Sequence, residues 1–442
     1  MFLYTKNAEA ASFTDRRVAP FLPRRMQTLR HGAASLFWLE DGFTEIDEES
    51  RRVSVRVLRP QVDRVPILCF EWNVVSGEVY LHRRWSGEFA AYVVEKPTFM
   101  IASHLRFIAW LCDGIPPGTR IIDPGCSLQL KRDGNARLLP ADNRRHKSSD
   151  SKLDYSATVK MVRGLVCQSV AEAPVSAALL LSGGVDSSVI AAAARITGKR
   201  LHAYVFGLRR PVRPQNDAEN DLLNAQKVAE YFRLPIDEIL LSADRLVQNV
   251  PSAIALSETH RGTIVDDCVA LIEVARVLSR AGYSTVWTGE GADDLFGGFK
   301  FPLRYYRGAQ LKQYYRHELN VSLPNELCVL QKIFEPQRIS VVHPFWTRQL
   351  KALGENLSLA HRVDLKRLMK RVLRDAFSDI LPPEICERPK GITRDTTQIR
   401  FVLESRFGKS RERYRPTFNH IFRDGFRWPA KRVNLPRNRS TR

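Results

Sequence analysis

Two glycine-rich turns, each directly following a short apolar run, constrain this chain more than anything else in it. The first run, Ala177 to Leu181, has the composition of a strand buried on both faces, and it leads into Ser182-Gly183-Gly184-Val185-Asp186-Ser187-Ser188. An alanine-rich segment, Val189 to Ile196, follows with the pattern of a helix. Glycines in such a turn let the backbone approach an anion closely, the unpaired amides of the helix point at that anion, and Ser182, Ser187 and Ser188 add hydroxyl donors. Asp186 would repel a phosphate on direct contact, and it makes sense there only with Mg²⁺ between them. The second run, Thr285 to Trp287, leads into Thr288-Gly289-Glu290-Gly291-Ala292-Asp293-Asp294-Leu295-Phe296-Gly297-Gly298.

Between and around these turns the pattern alternates. A strand is expected at Leu201 to Gly207, a helix at Glu219 to Phe232, a strand at Ile239 to Leu241 and a helix near Asp267 to Ala281. That order implies a doubly wound parallel sheet with helices on both faces, and ligands in such sheets sit beyond the carboxyl ends of the strands, where both turns lie. Leu350 to Ile380 reads as helices covering that end.

The pair of motifs resembles the synthetase domain of the asparagine synthetase family, within the wider group of ATP pyrophosphatases that share an S-G-G-x-D-S loop. Further stretches extend the likeness over roughly residues 150 to 395: Glu258-Thr259-His260, His343-Pro344-Phe345, Lys370-Arg371-Val372-Leu373-Arg374, Leu381-Pro382-Pro383-Glu384-Ile385 and Arg388-Pro389-Lys390. The resemblance implies a PP-loop fold of the adenine nucleotide α-hydrolase type and an enzyme that splits ATP into AMP and pyrophosphate to form an acyl-adenylate, then an amide. By the same resemblance Ser182, Gly183, Gly184, Asp186, Ser187 and Ser188 hold the phosphates, and Asp186 and Asp293 hold Mg²⁺. Leu181, Phe206, Thr288 and Gly289 match positions lining the nucleotide pocket, with Phe206 equally readable as a core aromatic. Glu290 matches a position that deprotonates or orients the attacking amine, and Lys390 the lysine that stabilises charge on the reacting centre. Asp294 and Glu258 are readable either as loop supports or as substrate contacts.

The first 140 residues carry strand patterns instead: Val53 to Leu58, Val65 to Trp72, Glu78 to His82 and Gly87 to Glu95. Ser86 to Phe89, Ala102 to Leu105 and the turn at Pro116-Pro117-Gly118-Thr119 resemble the end of the family's glutaminase domain, of the N-terminal-nucleophile type. That domain needs an N-terminal cysteine, whereas this sequence opens Met1-Phe2 and its first cysteine is Cys69. The expectation is a degenerate, β-rich glutaminase-like domain over 1–140, a polar linker over 141–152, the synthetase domain over 153–405 and a basic tail over 406–442.

At 442 residues the chain exceeds what one core usually serves. No apolar run approaches the roughly 18 residues of a membrane span, and the start lacks the features of a signal peptide, so a cytoplasmic location is expected. The seven scattered cysteines form no C-x-x-C pair, which argues against a zinc site or a disulfide scaffold. The formal net charge of +20 is concentrated partly in Lys409 to Arg442, which holds 11 Lys or Arg against Glu412 and Asp424. That stretch reads either as a solvated tail or as an attractor of a polyanion, with RNA and an acidic peptide as the rival partners.

An enzyme of this family without its ammonia source is expected to use an amine already on its substrate. Two branches do so, the macrolactam synthetases that close lasso peptides and the β-lactam synthetases; the intact G-E-G-A-D-D-L-F-G-G favours the first, with an ammonia-dependent asparagine synthetase and a tRNA-modifying PP-loop enzyme as the alternatives. The substrates implied are a peptide, or a small carboxylate and amine, and a leader-processing protease is an implied partner.

Overall fold

The computed structural model describes residues 2–5, 26–31, 34–39, 44–49, 52–59, 63–96, 98–140, 154–174, 177–363 and 369–423. The expected linker at 141–152 and the stretch 424–442 lie outside the described residues.

Two six-stranded antiparallel sheets form the first part. One runs, in spatial order, Arg120–Ile121, Tyr92–Val94, Met100–Ala102, Phe2–Thr5, Ala34–Leu39 and Met26–His31; the other runs Ala136–Leu139, Ser127–Leu130, Val79–Arg83, Asp63–Asn73, Arg52–Arg59 and Thr44–Glu49. Alternation along the strands places Val53, Val55, Leu68, Phe70, Trp72, Val79 and Leu81 inward, against Tyr4, Val93 and Ile101 of the facing sheet. The strand expected over Gly87 to Glu95 is shorter, Tyr92–Val94. Gly87 sits at φ +65° with its α-carbon against Pro324, where an added Cβ would fall 2.3 Å from the proline ring.

The second part is built on a five-stranded parallel sheet in the order Ile236–Leu241, Leu201–Leu208, Ala177–Leu180, Thr285–Trp287, Ser340–Val342. Helices Tyr155–Glu172, Val185–Thr197 and Asp221–Phe232 cover one face, while Ala243–Ser257, Gly262–Arg280 and Leu323–Phe334 cover the other. The doubly wound α/β expectation is therefore met. Strands Ala177–Leu180 and Thr285–Trp287 are neighbours, pairing Ala178 with Val286 and Leu179 with Trp287, so the two glycine turns leave the sheet side by side.

The stretch from Lys409 onward does not begin as a tail. Helix Arg415–Phe422 buries Phe418, Ile421 and Phe422 in the core around Ile254, Leu403 and Tyr414. Arg413 and the Tyr414 hydroxyl both bind Asp266, the latter at 2.7 Å, so part of the apparent excess of basic charge is spent internally.

The two parts meet through a buried polar seam. Helix Leu105–Leu111, buried along its whole length, brings Arg106 to Glu258 and Glu335, and His104 Nε2 lies 2.9 Å from Glu335 Oε2. Lys332 pairs with Glu258 and donates to the Tyr92 hydroxyl at 2.9 Å. Glu258 thus serves docking between the parts and does not line the cavity described next.

Candidate active site

Beyond the carboxyl ends of the parallel strands lies a cavity of about 480 Å³. Ser182, Gly184, Asp186 and Ser187 form one wall, and Thr288, Gly289, Glu290 and Asp293 the next. Leu181 and Phe206 line it as well.

The first turn can approach its neighbours because it lacks side chains. Gly183 adopts φ +67° and presses on the backbone of Asn224, with an added Cβ only 2.3 Å from the Asn224 carbonyl carbon. Gly184 then caps helix Val185–Thr197 in extended geometry without a side-chain cap, which leaves the first amides of the helix facing the cavity. Ser182 Oγ accepts from the Gly184 amide at 3.3 Å, and Ser187 Oγ accepts from the Ser182 amide at 3.2 Å, so the turn is internally braced. Gly183 and Ser188 stand behind this wall: Gly183 makes the turn, and the Ser188 hydroxyl is fully buried without a hydrogen-bond partner among the described residues.

The second turn is equally tight. An added Cβ at Gly289 would lie 2.9 Å from Asp186 Cβ, and one at Gly298 only 1.6 Å from Asp293 Oδ1. Thr288 Oγ1 lies 2.8 Å from His343 Nδ1, which ties the turn to the neighbouring strand's exit and accounts for the H-P-F stretch.

The centre of the site is one that sequence reasoning missed. Lys370 Nζ stands 2.5 Å from Asp186 Oδ2 and 2.7 Å from Asp293 Oδ1, bridging carboxylates that start on adjacent strands. Lys370 adopts φ +61°, a left-handed conformation that costs a non-glycine residue of order 1 to 3 kcal/mol. That strain places its amine between the aspartates, at the start of helix Arg371–Phe377. The K-x-x-L-R stretch carried a family likeness but no role, and its arginine, Arg374, braces the same corner by donating to the carbonyls of Met369 and Arg388 at 2.9 and 3.0 Å. Lys390 pairs with the other oxygen of Asp293. Its loop is held by Arg388, whose guanidinium donates to the Ser182 carbonyl at 2.9 Å and the Asp221 carboxylate at 2.7 Å.

The charges follow from these neighbours. Burial and the negative charge of Asp293 push the Asp186 carboxyl up against the pull of Lys370. Burial also acts on Asp293, but Lys370 and Lys390 outweigh it and hold that carboxyl at about 2. Glu290 has no cation in contact among the described residues. Its place on a protein-walled site, together with Asp293, pushes it to about 7, although its side chain faces the open cavity, where water weakens the effect. The cavity lining thus carries Lys370, Lys390, Arg374, Arg388 and Arg394 together with Asp186, Asp293, Glu290, Asp267 and Glu326.

Asp186 Oδ1 is buried and has no hydrogen-bond partner among the described residues. No group of three His, Cys, Asp or Glu that could hold a metal unaided occurs among the described residues. Two hard carboxylates with a spare oxygen, beside a phosphate-sized turn, fit Mg²⁺ arriving with a nucleotide that supplies its remaining ligands. Asp294, the other acidic residue of the turn, is buried and off the cavity wall, and its carboxyl is pushed well up by burial and by Asp293.

Among the described residues no helix is long and apolar enough to cross a membrane. The Asparagine synthase family matches residues 161–332 and 310–413. A glutamine-hydrolysing asparagine synthetase of Asparagus officinalis is 28% identical over 233 residues, covering 48% of this chain and 38% of that protein. A carboxyethyl-arginine beta-lactam-synthase of Streptomyces clavuligerus is 27% identical over 223 residues, covering 48% of this chain and 39% of its own. The solved NMN synthetase from Francisella tularensis superposes with a TM-score of 0.30 and 13% identity, over 64% of this chain and 99% of that one. The chain thus spans under two fifths of the length of the curated relatives it matches. Because the family match takes in both glycine turns, the bridging Lys370 and the Arg388–Lys390 loop, the chain belongs to the asparagine synthase family.

Proposed function

We propose that the chain is an ATP-dependent, AMP-forming carbon–nitrogen ligase, and that it closes a macrolactam between the N-terminal amine of a peptide and an Asp or Glu side chain. The observation that carries the ligase reading is the convergence of Asp186, Asp293, Lys370, Lys390 and Glu290 on one cavity.

A carboxylate resists attack by an amine until its oxygen becomes a good leaving group, and adenylation at the α-phosphate makes it one. In this reading the amides of the Ser182–Ser188 turn and the helix behind it receive the triphosphate. Asp186 and Asp293 hold Mg²⁺, which when bound screens the phosphate charge and orients the leaving pyrophosphate. Lys370, released from its aspartates, and Lys390 neutralise negative charge that builds on the reacting phosphate and then on the tetrahedral carbon. Leu181 and Phe206 hold the base. Glu290 takes the proton from the attacking ammonium group, a task suited to a carboxyl near 7.

The macrolactam assignment takes its support from the intact L-F-G-G end of the second turn, and in it the substrate's own N-terminal amine is the nucleophile. Ring closure gains from proximity, since the bound peptide presents that amine at high effective molarity. Conversion of free aspartate and ammonium to asparagine is the second reading, favoured by the identity to plant asparagine synthetase.

The test is exchange of labelled pyrophosphate into ATP, dependent on a carboxylate substrate, followed by loss of one water from a candidate peptide. Asp186→Asn and Asp293→Asn should abolish exchange, while Lys390→Ala keeps nucleotide binding and slows the chemistry by roughly 100-fold to 1,000-fold, as for other single electrostatic groups. Near-normal exchange in either aspartate variant removes that residue from the metal site, and a wild type that shows no exchange with any carboxylate rejects the ligase reading. Asparagine formation with linear peptides left unchanged replaces macrolactam closure by the second reading.

A further inference from the structure

A row of aromatic rings leads out of the cavity to the protein surface. Phe299 lines the cavity, with the Lys390 ammonium 4.5 Å from its ring centroid. Its ring is 6.0 Å from that of Phe301, which is 5.7 Å from Tyr314, and Tyr314 stacks on Tyr306 at 5.4 Å. Phe301, Tyr305 and Tyr306 are 48%, 74% and 37% exposed, and such a cluster of exposed rings marks a contact surface where a single one would not.

The same segment is charged with one sign only. Leu295 to His317 contains Lys300, Arg304, Arg307, Lys312 and Arg316, and no Asp or Glu. Some surface cations elsewhere pair with carboxylates, as Arg163 does with Asp379 and Arg245 with Glu273, while others such as Arg195 and Arg200 have no carboxylate partner among the described residues. Lys300, Arg304, Lys312 and Arg316 are exposed and have no carboxylate partner among the described residues. They sit on helices Phe301–Tyr305 and Gly308–His317 or just before them, directly after the turn that carries Asp293. Aromatic faces set among unpaired cations fit an extended chain that carries both apolar and acidic side chains.

We propose that this ledge docks an acidic stretch of a polypeptide substrate, whose reactive carboxylate then enters the cavity past Phe299. The proposal rests on the ligase reading above and adds to it where the rest of the substrate lies. An amino acid fits within the cavity and never reaches Phe301, so a free small acid leaves the ledge without a use. RNA meets the same charges and rings, but it has no carboxylate to deliver at the inner end of the row.

The probe is a short fluorescein-labelled peptide of alternating Glu and Leu, titrated with the full chain and read by anisotropy. Arg304→Glu/Lys312→Glu/Arg316→Glu should raise its Kd at least ~10-fold at low salt, and added salt should shrink the difference. Arg195→Glu/Arg200→Glu, at the far end of helix Val185–Thr197, should leave the Kd unchanged. If the triple reversal does not melt like the wild type, the corresponding triple Gln variant is read instead, with an expected loss of about threefold from removing charge without adding repulsion. A well-folded variant that binds the peptide as the wild type does overturns the proposal. So does polyuridylate displacing the peptide and losing its own binding in the variant, which assigns the ledge to RNA. Pyrophosphate exchange with a small acid is read in parallel on the wild type: exchange without peptide binding overturns the ledge alone, and peptide binding without exchange for any carboxylate overturns the ligase reading and keeps the ledge.

Discussion

Glu258→Gln tests how firmly the two parts of the molecule are joined. The Glu258 side chain is fully buried at the left-handed end of helix Ala243–Ser257, where it accepts from the Arg106 amide at 3.1 Å and pairs with Lys332. Burial alone would raise its carboxyl, but the charges around it, Lys332 foremost, outweigh burial and hold it at about 2 instead of 4.5. Burial and the Arg106 charge push the His104 ring well below its usual range, so at neutral pH it is uncharged and lysine and arginine carry the effect. The gap between 4.5 and about 2 corresponds to about 3 kcal/mol at about 1.4 kcal/mol per pH unit. That agrees with the roughly 3 to 5 kcal/mol expected when one partner of a buried pair is removed and the other is stranded.

The sign follows from the direction. A carboxyl held below its unfolded value contributes its full stability above about 4.5 and loses it as pH falls toward about 2, so the wild-type advantage should drop from about 3 kcal/mol at pH 7 to about 1.5 near pH 3. At roughly 2 to 4 °C per kcal/mol, Glu258→Gln should melt about 6 to 12 °C lower at pH 7. Hydrogen exchange should speed up first in helices Leu105–Leu111 and Leu323–Phe334, the two sides of the seam. Adding Lys332→Met should recover part of the loss, because it removes the stranded ammonium. Helix Leu323–Phe334 also presents Glu326, Val329 and Leu330 to the cavity, so loosening it should disturb substrate binding as well. A variant that melts within about 1 °C of the wild type at pH 7, at less than half of what one kcal/mol would move it, refutes the reasoning.

Two further outcomes follow from the site. Gly298→Ala should cut pyrophosphate exchange by ~100-fold with at most about 1 to 3 kcal/mol of destabilisation, because its Cβ would displace the Asp293 carboxylate and the Lys370 stem; unchanged exchange would show that this geometry is not needed. Wild-type amide formation should rise with pH as Glu290 ionises, at a pH above the usual carboxylate range, and Glu290→Gln should flatten that rise and slow the step by ~100-fold while leaving adenylation intact, as measured by single-turnover product formation across pH.

What the sequence disclosed, and what it withheld, follows from the range of the interactions involved. The two glycine turns were legible because each is a local event: a buried strand, a backbone that must pass close to another, and a helix start that needs no side-chain cap. Asp186 and Asp293 were legible with them, since parallel pairing of the strands they follow is enough to bring them together. Lys370 was not. Its role depends on a left-handed backbone and on carboxylates 184 and 77 positions away, neither of which marks the K-x-x-L-R stretch itself. Helix Leu105–Leu111 hid in a β-rich region for a similar reason. Its Arg106 reads as a surface charge until Glu258 and Glu335 arrive from the other half of the chain to neutralise it in the interior.

The stretch from Lys409 to Arg423 misled through its charge. Arg411, Arg413 and Arg415 suggest a solvated tail, yet Arg413 is consumed by Asp266 and Arg415 by Glu412, and the apolar face of Phe418, Ile421 and Phe422 closes the core. Leu295 to His317 presents the opposite case, a less conspicuous run in which Lys300, Arg304, Lys312 and Arg316 find no carboxylate among the described residues. A net charge of +20 therefore says little about where a partner binds until each cation has been followed to its carboxylate. The basic surface left after that pairing includes the rim of the cavity, beside the ring that stacks under Lys390, where a long acidic substrate would have to enter.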